Sequence, residues 1–459
     1  MISSALLCLA ISFHQPGVSK AEPISAPSTS DKPTQDTAIP PSDQPNKPVN
    51  RFSITLSSAF DLADRNNPEL LATLKNMDMA RAQLKTAAAI PNPQLAIQAG
   101  FGNPYTKVIS GNTQQVGANQ LIELGGKRSA RMNLAKANLD LTAKQLEAQR
   151  FEIRCRVRKA YAELAAAEAN IELVENQRGL IERLHKIAAR RAMAGAAPAS
   201  EEIQAQLALD QFDALRTSAL ARLRQASIQL DYLLGYKPER DLDVEDNGLF
   251  KLSAKKNELV PQPDYDFPPI EELLKQAYMQ RLDLKASELQ TAAGVQAFKL
   301  ARKQAIPDLL LGSGYVFSTF AVSQHAPFQQ GAYLNANVDI PIFYRHQGEI
   351  AQAKAQIEQA RLQVSAKKAQ IETDVHAAYT ELMAARSNIK NFRETLIPRA
   401  RDVVRMSQRS YEVGRSDLSN AIIAEQSFQQ TLSGYFDAVV AYQNAWADLE
   451  KAIGAPVKH

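Results

Sequence analysis

The amino-acid sequence contains an internal repeat, and this repeat constrains the fold more than any local motif. Residues 54–74 are similar to residues 268–289, and residues 153–167 recur as residues 371–385. Each unit has roughly 180–190 residues, whereas the repeats of a solenoid have about 20–50. The sequence therefore predicts a chain made of two copies of one half-protein.

The repeat also divides the chain into five predicted segments. Residues 1–21 are apolar and end in small residues, which predicts a signal peptide. Residues 22–50 are rich in Pro, Ser and Thr and have few apolar residues to bury, which predicts a flexible tether. The first repeat is predicted at 51–235 and the second at 268–455, with an inter-repeat linker at 236–267.

Within each repeat, the spacing of apolar residues changes from helical to alternating. Strands are predicted at about 93–101 and 115–123 in the first repeat, and at about 308–317 and 332–340 in the second. An apolar face opposite a polar face is what a strand between lipid and water requires. In the last strand we expect the polar residues Asn335, Asn337 and Asp339 to face the water-filled lumen.

Two stretches, at about 127–194 and 348–413, keep a helical pattern over an unusual length. The first would extend for ~100 Å at about 1.5 Å per residue. Apolar residues recur every seven positions, which indicates left-handed coiled-coil packing. One predicted seam of the second repeat consists of Val375, Leu382, Ile389 and Leu396. The return helices are shorter, so helices at 54–89 and 268–305 are expected to complete the columns.

The predicted strands impose an oligomer. Four strands cannot close a barrel, and an open sheet edge cannot lie in lipid. Bacterial membrane barrels have an even number of strands, so three chains with twelve strands would close one. The predicted fold class is therefore mainly α with a membrane β-barrel: a homotrimer with a 12-stranded barrel and a long α-helical coiled-coil tunnel.

The order of elements resembles that of the TolC-type outer-membrane efflux proteins, from about residue 54 to residue 455. The segments that carry the resemblance are 56–70, the helix-to-strand junction 91–93, and Tyr411 with Gly414. Residues 121–128, together with Arg131, are more similar to the heavy-metal branch, the cobalt–zinc–cadmium efflux outer-membrane proteins.

The resemblance implies a homotrimer in the Gram-negative outer membrane, in contact with its lipid, with the helical tunnel in the periplasm. It also implies two partners, an inner-membrane pump of the resistance–nodulation–division type and a periplasmic adaptor protein. The implied function is a passive duct that exports heavy-metal cations. The same duct could serve drug efflux or type I secretion, and a non-transport coiled-coil scaffold is a minor alternative that the alternating strands disfavour.

Members of this family narrow the tunnel at its periplasmic end, near the second helical turn. Some relatives carry aspartates six and nine residues after the turn glycine, where this chain has Asn420 and Ile423. The residues predicted to shape the aperture are Tyr411, Arg415, Asp417 and Asn420. Those predicted to contact the adaptor are Arg191, Met193, Gly195, Val413 and Gly414. Asp417 or Glu425 could replace the missing aspartates, and the alternative that all of these are ordinary solvated turn residues remains open.

No motif in the sequence indicates an enzyme. Metalloprotease, phosphate-loop, serine-hydrolase and CxxC motifs are absent, so we expect neither a cofactor nor a dedicated metal site. The energy for export must then come from a partner. The net charge of +4 over 459 residues does not suggest nucleic-acid binding. Cys155, on a predicted helix, is expected to be an inert thiol that is either buried or at an interface.

Overall fold

The computed structural model describes residues 52–99, 113–195, 197–237, 242–244, 267–318 and 330–456. These residues belong to one unit of the chain, residues 50–459. The predicted signal peptide, the predicted tether and most of the predicted linker lie outside the described residues. Of the helices that the structure describes, none is both long enough and apolar enough to cross a membrane.

The first repeat contains two short helices, two strands, a long helix and a return helix. Its elements are β1 (Phe52–Ile54), α1 (Leu56–Asn66), α2 (Pro68–Ala88), β2 (Gln94–Ala99), β3 (Thr113–Ile122), α3 (Lys127–Met193) and α4 (Ala199–Leu234), followed by β4 (Leu242–Val244).

The second repeat has the same order of helices and strands. Its elements are α5 (Ile270–Gln280), α6 (Leu282–Gln304), β5 (Leu309–Ser318), β6 (Gln330–Val338), α7 (Gln347–Asn391), a π-helical turn (Phe392–Leu396), α8 (Ile397–Glu412) and α9 (Leu418–Ile453).

The break between the two short helices of the first repeat is fixed by Asn67. Thr55 begins α1 with a capping box, and the Asn67 side chain caps α2 by accepting a hydrogen bond from the Leu70 N–H at 3.1 Å. Pro68 occupies the first helical position, where its missing N–H costs nothing. The buried Asn67 amide also donates to the Leu233 carbonyl at 2.8 Å, which ties this break to the end of α4.

The second repeat builds the same joint with a different residue. Arg281 lies between α5 and α6, and its guanidinium donates to the Ala452 carbonyl near the end of α9 at 3.4 Å. It also pairs with Asp283 and Asp374, at 2.7 Å and 2.8 Å. A cation with two carboxylates thus takes the place of a neutral amide at equivalent positions.

Glycines in the left-handed region end both return helices against these joints. Gly235 has φ 74° and Gly454 has φ 80°. A Cβ atom at Gly235 would overlap the carbonyl group of Asn66, and one at Gly454 would lie 2.7 Å from the Arg281 Cα. Both positions therefore require glycine for its conformation and for its size.

The long helix of the first repeat is α-helical throughout, whereas that of the second contains a π-helical turn. Helix α3 has 67 residues and passes through Gly179 without a break. The long helix predicted at about 348–413 extends over 347–412, and the π-helical turn between α7 and α8 was not predicted.

The π-helical turn shifts the buried seam by one residue. Val375, Leu382 and Ile389 are buried as predicted, but Leu396 is exposed and Ile397 takes its place. The seam then continues with Val404, so one step of eight residues replaces a step of seven. A π-helical turn accommodates one extra residue, which accounts for this shift.

The four longer strands form one antiparallel sheet in the order β2-β3-β5-β6. The predicted strands at 115–123, 308–317 and 332–340 lie one or two residues from the observed ones, and residues 100–101 of the first prediction lie outside the described part. One face carries exposed apolar side chains: Leu95, Ile97, Val116, Leu311, Phe317, Leu334 and Val338. The opposite face has a polar row across the sheet, formed by Gln94, Asn119, Gly312 and Asn335.

A second, smaller sheet joins the start of the first repeat to the linker. Strand β1 pairs in parallel with β4, with Phe52 opposite Leu242. The buried Tyr161 hydroxyl of α3 donates to the Ile54 carbonyl at 3.1 Å and holds this sheet against the helices. Neither strand was predicted, because three residues are too few to show an alternating pattern.

Buried side chains form two separate clusters along the helices. The larger one includes Trp446 and Ile371 and joins helices of both repeats beside the two joints. The smaller one lies near the far ends of the long helices and includes Ile181, Phe212 and Tyr411. This second cluster positions the turns that connect the long helices to the return helices.

Candidate functional site

The candidate site is the helical tip, defined as residues 194, 195, 197 and 198 and the turn at residues 413–417, with the helix ends beside them. Each turn contains a glycine in the left-handed region, Gly195 with φ 67° and Gly414 with φ 71°. Such a residue ends a helix and reverses the chain at little steric cost. The two repeats therefore present matching turns.

Tyr411 lies at the centre of the helical tip and is fully buried. The Arg191 guanidinium lies 4.9 Å from the centroid of the Tyr411 ring. The Tyr411 hydroxyl lies 3.4 Å from a Glu201 carboxylate oxygen. Burial, followed by the nearby Glu201 charge, raises the pKa of Tyr411, so its hydroxyl remains a donor. The structure thus joins a predicted aperture residue and a predicted adaptor residue in one contact.

Glu201 was not singled out from the sequence. An acidic residue in the first turn of a helix is ordinary, because it interacts favourably with the helix N-terminus. No sequence signal distinguishes Glu201 from its neighbour Glu202, since only the packing of the second repeat brings Tyr411 to it.

The other predicted aperture residues lie on the surface of the helical tip. Arg415, Asp417 and Asn420 are exposed, and the Asn420 amide donates to the Ser416 hydroxyl at 3.1 Å. In the single chain these three side chains are therefore accessible, whereas Tyr411 is not.

The remaining predicted adaptor residues are also exposed. Met193 is 84% exposed and Val413 is 66% exposed. They flank Gly195 and Gly414, which are exposed as well. The helical tip thus presents one apolar side chain beside the glycine of each turn.

Behind the helical tip, Glu425 is fully buried on α9. The Gln408 amide of α8 donates to one of its carboxylate oxygens, and the other oxygen has no hydrogen-bond partner among the described residues. Burial raises the pKa of Glu425, opposed by the Gln408 hydrogen bond and by Arg183 of α3. Glu425 therefore lies within the helix packing, where it cannot replace an exposed acidic ring.

The return helices run in parallel from the helical tip and are linked by polar contacts. These contacts are Gln204 with Ser419 at 2.9 Å, Gln211 with Gln426 at 2.8 Å and Arg222 with Asp437 at 3.0 Å. All three bonds join residues 215 positions apart, so the two repeats stay in constant register along α4 and α9.

At the other end of the long helices, the segment with the heavy-metal resemblance forms the junction between sheet and helix. Gly125 and Gly126 have φ 68° and 73°, and Ile306 packs so closely that Gly125 has no room for a Cβ atom. Lys127 then pairs with Asp308 at 2.8 Å. The junction therefore ties the start of α3 to the start of β5.

Of the three polar residues predicted to face the lumen, two lie in strand β6 and the third lies just after it. Asn335 shares the polar face of the sheet with Asn119, on either side of Gly312, where a Cβ atom would overlap both side-chain oxygens. Asn337 lies on the same face two residues on, opposite Leu310. Asp339 follows the end of the strand and is exposed.

Among the described residues, neither a reactive thiol nor a cluster of metal ligands is found. Burial raises the pKa of the Cys155 thiol to about 12, so the thiol stays protonated and unreactive. Within the described ranges, no group of His, Cys, Asp and Glu side chains is arranged to hold a metal ion.

The two repeats and their tips match a known family. Residues 59–236 and 273–455 match the outer membrane efflux protein family. The chain belongs to this family. It is therefore an outer-membrane protein of the efflux-channel type, which confirms the resemblance described above.

Individual relatives extend this finding. The chain is 24% identical over 401 residues to the cobalt-zinc-cadmium resistance protein CzcC of Cupriavidus metallidurans, covering 87% of this chain and 90% of the relative. A crystal structure of a Pseudomonas aeruginosa membrane protein has a TM-score of 0.71 at 20% identity, covering 87% of this chain and 90% of that one. The Campylobacter jejuni CmeC outer membrane channel has a TM-score of 0.71 at 17% identity, with coverages of 87% and 85%.

Proposed function

We propose that this protein is the outer-membrane duct of a tripartite efflux system and that it works as a homotrimer. The observation that carries this proposal is the two-faced sheet at one end of the long helices. Its exposed apolar face suits lipid, and its polar row suits a water-filled lumen. Because four strands leave open edges that lipid cannot accept, three chains are needed to close twelve strands into a barrel.

The helices of the trimer would then enclose a periplasmic tunnel that ends at the helical tip. We assign Tyr411, Arg415, Asp417 and Asn420 to the aperture, with Tyr411 acting as a buried support and the other three as accessible groups. The chain offers no nucleotide or redox motif, so a partner would supply the energy, and the resemblance implies a resistance–nodulation–division pump in the inner membrane.

A periplasmic adaptor would link that pump to the duct. The exposed Met193 and Val413, beside Gly195 and Gly414, suit a helical hairpin of the adaptor, because apolar side chains beside residues without side chains permit close approach. Arg191 is half-buried against Tyr411 and would transmit adaptor contact to the aperture.

The cargo that we propose is a heavy-metal cation. The support is the similarity to a protein named for cobalt, zinc and cadmium resistance, together with the junction segment 121–128. Asn335, Asn337 and Asp339 would give the lumen neutral and acidic oxygen atoms, which do not repel cations.

Growth of a deletion strain tests the cargo. Sensitivity confined to cobalt, zinc, cadmium, nickel, copper or silver would support metal efflux and identify the ion. Sensitivity to dyes and antibiotics alone would assign the same duct to drug efflux, and loss of a secreted protein would assign it to type I secretion. Complementation with the intact chain must restore growth in each case.

A pair of adjacent substitutions tests the two faces of the sheet. Leu334, 88% exposed, lies on the apolar face, and its neighbour Asn335 lies on the polar face. Leu334→Asp should prevent assembly of a heat-modifiable trimer in the outer membrane, because a charge on the lipid face is unfavourable. Asn335→Asp adds the same charge and should assemble normally. Equal behaviour of the two variants would contradict the assigned faces.

A further inference from the structure

An exposed apolar segment follows strand β6 and continues the apolar face of the sheet. Ile340, Ile342, Phe343 and Tyr344 are all exposed, and Phe343 is 94% exposed. Such a segment is costly in water, because each exposed apolar side chain forgoes the free energy of burial. Its position, directly after Val338 on the apolar face, suggests that the same surroundings cover both.

The segment has a defined conformation. His346 has φ 57°, a left-handed conformation that few residues other than glycine adopt, and it turns the chain sharply into α7. The Arg345 guanidinium folds back to donate to the Pro341 carbonyl at 3.3 Å, and the Tyr344 hydroxyl donates to Glu349. The hydrogen bonds of Tyr344 and Arg345 therefore stabilise the turn in which Phe343 is exposed.

Three cations lie in or beside the segments that join the helices to the sheet, and we name them the basic collar: Arg128, Lys303 and Arg345. Arg128 donates to the Ala88 carbonyl at 2.7 Å, and Lys303 donates to the Gly126 carbonyl at 3.4 Å. These carbonyls lie at the end of α2 and just before α3, where helices meet the sheet.

The cations of the basic collar have no acidic partner among the described residues, unlike Lys127 and Arg131 beside Arg128. Lys127 pairs with Asp308, and Arg131 pairs with Glu123. No carboxylate among the described residues lies within 4.0 Å of Arg128, Lys303 or Arg345. The hydrogen bonds described above for these three side chains go to neutral carbonyl groups, which leave the positive charges available to an external anion.

We infer that the basic collar and Phe343 form a binding site for the headgroups of anionic phospholipids, in the leaflet of the outer membrane that faces the periplasm. The inference rests on the proposed function, which places the sheet in the membrane and the helices in the periplasm. Aromatic side chains favour the boundary between lipid and water, and basic side chains near an anionic surface bind it. An anionic headgroup supplies the charge that the basic collar lacks, while its acyl chains cover Phe343.

Lipid binding by the purified full-length channel tests this site. The channel is reconstituted with phosphatidylglycerol or phosphatidylcholine, and the lipid retained per protomer is measured by native mass spectrometry. The intact chain should retain phosphatidylglycerol preferentially. In the variant with Arg128→Gln, Lys303→Gln and Arg345→Gln, each lost charge should reduce the preference for phosphatidylglycerol about fivefold. The three substitutions together should reduce it on the order of 100-fold.

The matched control removes three exposed cations from the helices instead, with Lys368→Gln, Arg399→Gln and Arg401→Gln. It has the same net charge as the collar variant and should keep the preference of the intact chain. Equal loss in both variants, or no preference in the intact chain, would overturn the inference. A chain that conducts ions without a lipid preference would overturn only this inference, whereas a chain that never inserts into a bilayer would overturn the proposed function first.

Fluorescence quenching tests the place of Phe343 separately. The chain has one tryptophan, Trp446, which is buried and gives a constant background. In bilayers of brominated lipid, Phe343→Trp should be strongly quenched, and Met406→Trp, exposed on α8, should not. Equal quenching at the two positions would show that Phe343 does not contact lipid.

Discussion

Replacing Tyr411 with alanine is expected to loosen the helical tip without unfolding the rest of the chain. Tyr411 is fully buried, and truncating a buried aromatic side chain costs about 3–5 kcal/mol. Loss of the contact with Arg191 adds about 0.5–1 kcal/mol. The bond to Glu201 is long, at 3.4 Å, and contributes little.

The lost free energy should favour local opening of the helical tip and not unfolding of the whole chain. Tyr411 belongs to the small buried cluster at the tip and not to the large one around Trp446. About 3–5 kcal/mol corresponds to a population of open tips that is larger by roughly 10²–10⁴-fold. The amides of residues 416–422 should therefore exchange hydrogen faster by that factor, and the conductance of the channel in planar bilayers should rise.

Two further variants make this test specific. Tyr411→Phe keeps the ring and should change exchange by less than about tenfold, since only a weak hydrogen bond is lost. Tyr232→Ala removes an exposed tyrosine at the other end of α4 and should leave the tip unchanged. If Tyr411→Ala exchanged and conducted like the intact chain, the argument from burial would be wrong.

Other predictions follow from the joints and from the buried carboxyl. Gly235→Ala should destabilise the chain by at least ~1–2 kcal/mol because of its left-handed backbone, whereas Gly179→Ala, with free space around it, should stabilise α3 by up to about 1 kcal/mol in thermal unfolding. The raised pKa of Glu425 means that its burial costs stability as the pH rises above the ordinary carboxyl range, so Glu425→Gln should be more stable than the intact chain at neutral pH and should lose that advantage in acid. Arg281→Ala removes a buried guanidinium from two carboxylates that are each about one third exposed and should cost about 1.5–3 kcal/mol in denaturant unfolding, and Arg281→Lys should recover part of it.

The sequence was sufficient to predict the order of elements, because their periodic patterns are long. Helix α3 ends within one residue of the predicted boundary, and the alternating residues of β6 lie on the two faces that were assigned to them. Long patterns average over many residues, so a single glycine such as Gly179 does not interrupt them.

The features that were missed depend on packing or on single residues. Strands β1 and β4 are too short for a periodic signal. The π-helical turn was missed because one extra residue near Leu396 hardly changes the helical pattern of the sequence. The burial of Tyr411 arises because α3 and α4 of the other repeat cover it, and spacing within one helix cannot show which neighbour lies opposite. For the same reason, Glu425 could not be placed inside the packing from sequence alone.

The π-helical turn at Phe392–Leu396 keeps the buried side chains of the second repeat on the same face of the helix despite one extra residue. One residue added to an α-helix turns every later side chain by about 100° around the axis, which would carry the far end of α8 away from its partners. The wider turn absorbs that rotation, so that Ile397, Val404 and Tyr411 still point inward. A length difference between the two copies is thereby confined to a single turn, and the halves of this duplicated chain can differ in residue count while their ends meet at the same tip.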